Sequence, residues 1–320
     1  MDRPGAVAEL TAELRRFVGD HTPGDTRWCV ALSGGPDSLA LTAVAAAVVP
    51  TTALIVDHRL QPGSGAVAAA ARDQAIALGC VAAQVLCVDV GTAGGPEAAA
   101  RSARYAALEQ ARGRQPVLLA HTLDDQAETV LLGLGRGSGA RSIAGMRPYD
   151  PPWYRPFLGV RRSLTERACT ELGLTPWRDP HNTDARFTRV RLRTEVLPLL
   201  EDVLGGGVAE ALARTAAALQ QDGDVLDLLA GEALDRARTG DGLAVTELAG
   251  LAPAVRRRAI RAWLLAAGAR GLTAVQIHAV DALVTAWRGQ GGVAVPGGPP
   301  RERLFAGRRG EQLILYREPV

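Results

Sequence analysis

The sequence contains no lysine; all 36 residues of its Lys+Arg total are arginine. That excludes a P-loop lysine, a Schiff-base lysine and a lysine general base. Any phosphate charge must be met by arginine, a metal ion or backbone N–H groups. Cysteine is scarce, with 4 in 320 residues, and Cys29, Cys80, Cys87 and Cys169 form no C-x-x-C pair. This spacing offers neither a zinc site nor a disulfide framework. The first three sit in apolar stretches and read as small buried hydrophobes. Net charge is small, +2 at pH 7, so a whole-surface attraction for nucleic acid is excluded and any basic surface is local. Long apolar runs are missing. The longest mainly apolar stretch, Leu39 to Val49, stops at Pro50 and is too short to span a bilayer. The N-terminus carries acids and no apolar centre, unlike a signal peptide. A cytoplasmic protein without membrane contact is expected.

At 320 residues and 47% hydrophobic, the chain has room for two cores. Residues 6–18 read as an amphipathic helix, with Val7, Leu10, Leu14 and Phe17 on one face. Four short apolar runs then recur: Trp28–Leu32, Ala53–Val56, Val81–Val88 and Val117–Ala120. Helical stretches Leu39–Val49, Ala66–Leu78 and Glu97–Arg112 separate them. Such alternation predicts an α/β fold: a doubly wound, Rossmann-like parallel sheet covered on both faces. Ligands in such sheets bind at the carboxyl ends of the strands. Ser163-Leu164-Thr165-Glu166 reads as a capping box opening a helix to Leu172. An Ala/Leu-rich helix over 210–238 leads to a smaller, mainly helical C-terminal domain. It has helices at Pro253–Ala267 and Thr273–Trp287 and a last strand at Leu313–Tyr316. The expected domains are 1–215 and 216–320.

The first strand ends in Ser33-Gly34-Gly35-Pro36-Asp37-Ser38 and leads directly into a helix. Strand, glycine loop and helix in this order aim N–H groups, hydroxyls and a helix dipole at one point, which suits phosphate. The spacing is neither G-x-x-x-x-G-K-[ST] nor G-x-G-x-x-G. Asp57-His58 ends the second strand, where aspartate equally suits a turn. His121 precedes a helix start with Asp124, Asp125 and Glu128. Acids favour that position through the dipole, but three in five residues exceed what capping needs. Like charges at i, i+4 call for a cation between them, either a metal ion or a substrate ammonium. Glu97, Arg101, Arg104 and Tyr105 share one helix, and Arg136-Gly137-Ser138-Gly139 reads equally as a helix end. The stretch Asp179–Arg193 holds four arginines in eight residues: Arg186, Arg189, Arg191 and Arg193. It is either a solvated face or a contact for RNA phosphate.

The Ser33–Ser38 loop resembles that of the N-type ATP pyrophosphatases, the PP-loop family. The order of all these segments, with Asp179–Arg193, resembles the tRNA(Ile)-lysidine synthases over about residues 25–200. His181 and Val190 stand where that family commonly has Ser and Asn. The chain is also short for the family, as if lacking its last C-terminal domain.

The resemblance implies ATP and Mg²⁺ as cofactors, with tRNA(Ile) bearing a CAU anticodon and free L-lysine as partners; it admits a homodimer. By the same resemblance Ser33, Gly34, Gly35, Pro36, Asp37, Ser38, Asp57, His58, Arg136 and Gly137 bind the nucleotide, and Asp37 reaches the metal. Asp37, Arg101, His121, Asp124, Asp125 and Glu128 are the catalytic set. Asp125 and Glu128 meet lysine, and Arg186, Arg189 and Arg193 meet tRNA. Three alternatives stay open. A tRNA thiolase would call for paired cysteines or an iron–sulfur cluster. An NAD- or GMP-synthetase-like enzyme would leave the arginine stretch without a purpose. A non-catalytic ATP sensor would not need the clustered acids.

Overall fold

Strand residues alternate between two apolar layers, and this places the catalytic-end loops. A computed structural model describes residues 5–21, 27–91, 95–137, 139–179, 184–297 and 301–319. Ser138, His181 and the side chain of Glu97 lie outside the described residues. The chain divides into two compact units, residues 1–217 and 218–320.

In the first unit the order is α1 (Ala6–His21), β1 (Trp28–Ala31), α2 (Pro36–Val48), β2 (Thr51–Asp57), α3 (Ser64–Ala77), β3 (Ala82–Cys87), α4 (Pro96–Ala111), β4 (Val117–Leu118) and α5 (Leu123–Gly135). Then come α6 (Ala140–Ile143), β5 (Tyr149–Asp150), β6 (Trp153–Tyr154), α7 (Arg162–Glu171), α8 (Thr188–Arg191), a π-helical turn (Leu192–Val196) and α9 (Leu197–Val203). The sheet order is β3-β2-β1-β4-β6-β5, parallel throughout except for β5. Trp28, Val30, Leu32, Ala53, Ile55 and Leu118 face one layer, packed with Leu10 and Leu14 of α1, Leu39 and Leu41 of α2 and Ala168 of α7. Cys29, Leu54, Val117 and Leu119 face the other, against Leu108 of α4. This period of two is the doubly wound arrangement the apolar runs predict. The chain reverses direction across the sheet between β1 and β4, which leaves a crevice at their carboxyl ends.

Cys29, Cys80 and Cys169 are buried, but Cys87 is exposed, contrary to the reading above. It is the last residue of β3, the edge strand, in which no position is fully buried. The capping box expected at Ser163–Glu166 is also absent. Helix α7 starts two residues earlier than that box requires, its N-cap residue is Arg161, and no side chain caps it.

Helix α10 (Val208–Ala237) crosses the boundary between the units. The second unit continues with β7 (Arg238–Thr239), β8 (Gly242–Ala244), α11 (Val245–Ala249), α12 (Pro253–Ala266), α13 (Ala274–Thr285), β9 (Val293–Val295), β10 (Glu302–Arg309) and β11 (Gln312–Pro319). Its helices are joined by a five-stranded antiparallel sheet, order β7-β8-β11-β10-β9. Of that sheet only Leu313–Tyr316 was legible as strand. Strands β7, β8 and β9 are short, and β10, though as long as β11, carries charged and glycine positions that break the apolar alternation. Leu243, Ile260, Trp263, Leu264, Leu283, Leu304 and Leu313 form a separate core.

Candidate active site

A cavity of about 770 Å³ opens at the carboxyl ends of β1, β2 and β4, within the size range of nucleotide-sized ligand sites. Ser33, Gly35, Pro36, Asp37, Ser38, Asp57, His58, His121 and Asp125 line it together. These segments are distant in sequence, and the strand order brings them to one place.

The phosphate loop is shaped by its own hydroxyls. Ser38 Oγ accepts the Ser33 N–H at 3.2 Å, lies 3.1 Å from Ser33 Oγ and donates to the Gly35 carbonyl at 3.0 Å. Gly34 has φ +83°, a left-handed conformation that favours glycine, and its carbonyl accepts the Trp177 N–H at 2.9 Å. Pro36, which has no N–H to lose, opens α2. The N–H groups of that first turn have no intrahelical partner and suit an anion.

Asp57 is buried, and its Oδ1 accepts the Arg59 N–H at 2.9 Å. It is a turn residue that also lines the cavity. The Nδ1 atoms of His58 and His121 are buried without a hydrogen-bond partner among the described residues. Burial, with Arg155, Arg104 and Arg101 working against Asp125, pushes His121 down to about 3. Burial and Arg104 push His58 down as well. Both imidazoles are therefore neutral at pH 7.

The acids form a second cluster around a residue that sequence reasoning missed, Arg162. Its Nη2 donates to Asp125 Oδ1 at 2.7 Å and its Nε to Asp37 Oδ2 at 3.3 Å, while Nη1 lies 3.7 Å from Glu128 Oε1. Its backbone N–H, at the start of α7, donates to Asp124 Oδ2 at 2.8 Å. The cation between the acids is thus a guanidinium of the chain itself. Burial works against Arg162's charge, but Asp125, Asp37 and Glu128 hold its pKa above the ordinary guanidinium range. Burial pushes the Asp37 carboxyl up, although Arg162 and the Thr165 hydroxyl, which donates to Asp37 Oδ1, pull the other way. Burial also opposes the Asp125 charge, yet Arg162 and the Thr122 N–H hold that carboxyl below the usual range. Asp125 and Thr122 also form a reciprocal capping box on α5.

Glu128 is fully buried. Arg193 Nε donates to it at 2.7 Å and Nη2 at 3.2 Å, and Arg189 Nε lies 4.0 Å away. Arg189 Nη2 donates to Thr129 Oγ1 at 2.9 Å. Arg189 and Arg193 are therefore held on the acid helix rather than presented outward, and Arg193 also lines the cavity. Arg161 Nη2 lies 3.5 Å from Asp124 Oδ1. Asp124 and Glu128 border a smaller adjoining hollow with Arg161, Arg162 and Arg193.

Four expected residues stand apart. Arg101 is not among the cavity-lining residues. Its guanidinium rests 4.9 Å from the Tyr105 ring centroid and donates to the Tyr105 hydroxyl at 3.3 Å. Its helix neighbour Arg104 lines the cavity instead. Arg136 and Gly137 end α5, about 18 Å along the helix from its acidic start, and do not line the cavity either. Arg186 is exposed and paired with Asp184 at 2.7 Å. The signal for Arg162 was the Arg161-Arg162 pair before Ser163, masked by the apparent capping box.

Comparisons with known proteins agree with this geometry. Residues 7–200 match the PP-loop domain, and residues 243–313 match the TilS substrate binding domain. The tRNA(Ile)-lysidine synthase of Mycobacterium bovis is 69% identical over 324 residues, covering 100% of both chains. That of Mycobacterium leprae is 64% identical over 100% of both. That of Rhodococcus erythropolis is 64% identical over 97% of this chain and 95% of its own. Among solved structures, the U34-tRNA thiolase NcsA from Methanococcus maripaludis superposes with a TM-score of 0.56 at 16% identity, over 68% of this chain and 80% of its own. At that identity the likeness concerns the fold. By the full-length identity to its relatives and by both domain matches, the chain belongs to the tRNA(Ile)-lysidine synthase family.

Proposed function

We propose that the protein joins free L-lysine to C2 of the wobble cytidine in the CAU anticodon of tRNA(Ile), using ATP. The observation that carries this reading is the shared cavity: the phosphate loop and Asp125, with its arginines, face one space. In the first half-reaction cytosine O2 forms a bond to the α-phosphorus. The bond from that phosphorus to the bridging oxygen breaks, and its electron pair leaves with pyrophosphate. In the second, the lysine ε-nitrogen bonds C2 and the C2–O2 bond breaks, so O2 departs within AMP.

The Ser33–Ser38 loop and the start of α2 hold the leaving pyrophosphate by backbone N–H groups. Neutral His121 can donate or accept a hydrogen bond at the base without adding charge. Mg²⁺ fits as a phosphate-bound ion. Among the described residues no three His, Cys, Asp or Glu converge on a metal position. Asp37 nonetheless offers one carboxylate beside the loop, which suits an ion held mainly by phosphate and water. When bound, that ion supplies neutralisation of the pyrophosphate charge.

Lysine arrives as an ammonium with an ordinary pKa of about 10.4 and must lose a proton before attack. Asp125 and Glu128 are the acids we assign to it. Each is already matched by a guanidinium, so the ammonium must share that pairing with Arg162 or Arg193. Of the arginines in the 179–193 stretch, Arg186 and Arg191 are exposed and paired with Asp184 and Glu195, so both can meet a tRNA phosphate without leaving an acid of this cluster. The unit 218–320 is the part we assign to tRNA selection, in keeping with its domain match. No helix of the described residues is long and apolar enough to cross a membrane.

Labelled lysine incorporation tests this function. The label should enter a tRNA with a CAU anticodon and not the same tRNA with its wobble cytidine replaced by uridine. Incorporation into both, or into neither with ATP present, would contradict it.

A further inference from the structure

One cation in the cavity wall has no counter-charge. Arg104 lines the cavity from α4, beside His58 and His121. Among the described residues it makes no ion pair. Its neighbours are the Tyr105 ring, 5.6 Å from the guanidinium carbon, and two further cations, Arg101 and Arg189. Burial, Arg101 and Arg189 all press its pKa below the ordinary guanidinium range, and Tyr105 alone opposes them. The two nearby imidazoles supply no acceptor charge, since both are held neutral. The other three arginines lining the cavity have counter-charges: Arg162 has Asp37 and Asp125, Arg193 has Glu128, and Arg59 has Asp89 at 4.0 Å. The cavity is therefore polarised, with a compensated acidic wall and a bare cationic one. An unpaired, partly buried guanidinium is costly, and such costs persist where a ligand offsets them. Its complement is a planar or tetrahedral oxyanion gripped by the N–H fork. The loop Ser33–Ser38 already provides for one anion, so a second is implied.

We infer that Arg104, rather than the expected catalytic residue Arg101, holds the α-phosphoryl group of ATP through both half-reactions. This rests on the proposed function for the identity of the phosphate. Arg104 bonds the non-bridging oxygens as cytosine O2 bonds phosphorus and pyrophosphate departs. It keeps hold of them as the C2–O2 electron pair passes to AMP, while the amine proton goes to an acid of the opposite wall. Arg101 and Arg104 flank the Tyr105 ring, which packs edge-on against Trp153 at 4.8 Å. Tyr105 is a positioning residue for the fork.

The test compares AMP and inorganic pyrophosphate binding to the full-length chain by calorimetry, for wild type, Arg104→Gln and Arg104→Lys. Arg104→Gln should weaken AMP by about tenfold or more and leave pyrophosphate within about threefold, with Arg104→Lys in between. The unliganded Arg104→Gln protein should melt at or above the wild-type temperature, because an unmatched charge is gone. Unchanged AMP affinity, equal weakening of AMP and pyrophosphate, or a lowered melting temperature in both variants would overturn the assignment. The AMP measurement needs no tRNA or lysine, so it fails or succeeds separately from the proposed function.

Discussion

Arg162 touches Asp37, Asp125 and Glu128 with one guanidinium, and its backbone N–H binds Asp124. Its side chain is only 17% exposed. Replacing it with Ala takes the paired guanidinium from Asp37 and leaves Asp125 only Arg193 at 3.4 Å, while Glu128 keeps Arg193, at a cost of about 3–5 kcal/mol. Chemical denaturation should record that loss, and a variant as stable as wild type would refute the hub role. His121 carries a pH signature. Its pKa in the folded chain, about 3, lies below the unfolded value of about 6.5. The stability it contributes is complete above pH 6.5 and is lost as pH falls toward 3, because the unfolded chain takes up the proton first. His121→Gln should therefore lose less stability than wild type on acidification from pH 6.5 to 4.5. That window lies above the range in which Asp125, with its lowered pKa, titrates. Parallel stability curves for the two proteins would show that His121 is not held neutral.

At the scale of elements, α5 is where cap, acids and packing meet. Thr122 accepts the Asp125 N–H, while Asp125 accepts both the backbone N–H and the hydroxyl of Thr122. Thr122→Ala should cost about 1 kcal/mol by thermal melting and free Asp125 to turn toward Arg162. Further along the same helix, a Cβ on Gly133 would lie 2.0 Å from the Ser142 carbonyl oxygen of α6. Gly133→Ala forces that helix pair apart, and a loss of about 1–3 kcal/mol is expected; an unaffected melting temperature would mean that the two helices slide freely. The main elements were readable because short apolar runs bounded by glycine and proline have few alternatives: Trp28–Leu32 became β1, and Val81–Val88 became β3 with one residue trimmed at each end. The two-residue strand β6 is set by its distant partner β4, and β5 in turn pairs only with β6, so both are too short for a local pattern to announce them. The phosphate loop was legible because its chemistry is local. Arg162 was not, because its role depends on three acids brought in from α2 and α5. Thr165 went unread for the same reason: its hydroxyl donates to Asp37, a residue of α2.

Among the described residues, the cluster on the main face of the parallel sheet and the cluster on the antiparallel sheet share no buried residue. Two calorimetric transitions are expected, and ATP should raise the one belonging to residues 1–217. On the proposed function, the cavity makes an adenylated tRNA before lysine reacts. The direct measurement follows ³²P from the α-phosphate of ATP in the presence of tRNA(Ile) without lysine. The label should accumulate on the tRNA while pyrophosphate is released, and added lysine should chase it off as AMP, one for each lysine joined. Label that never reaches tRNA, or that leaves as AMP at the same rate without lysine, would contradict the account.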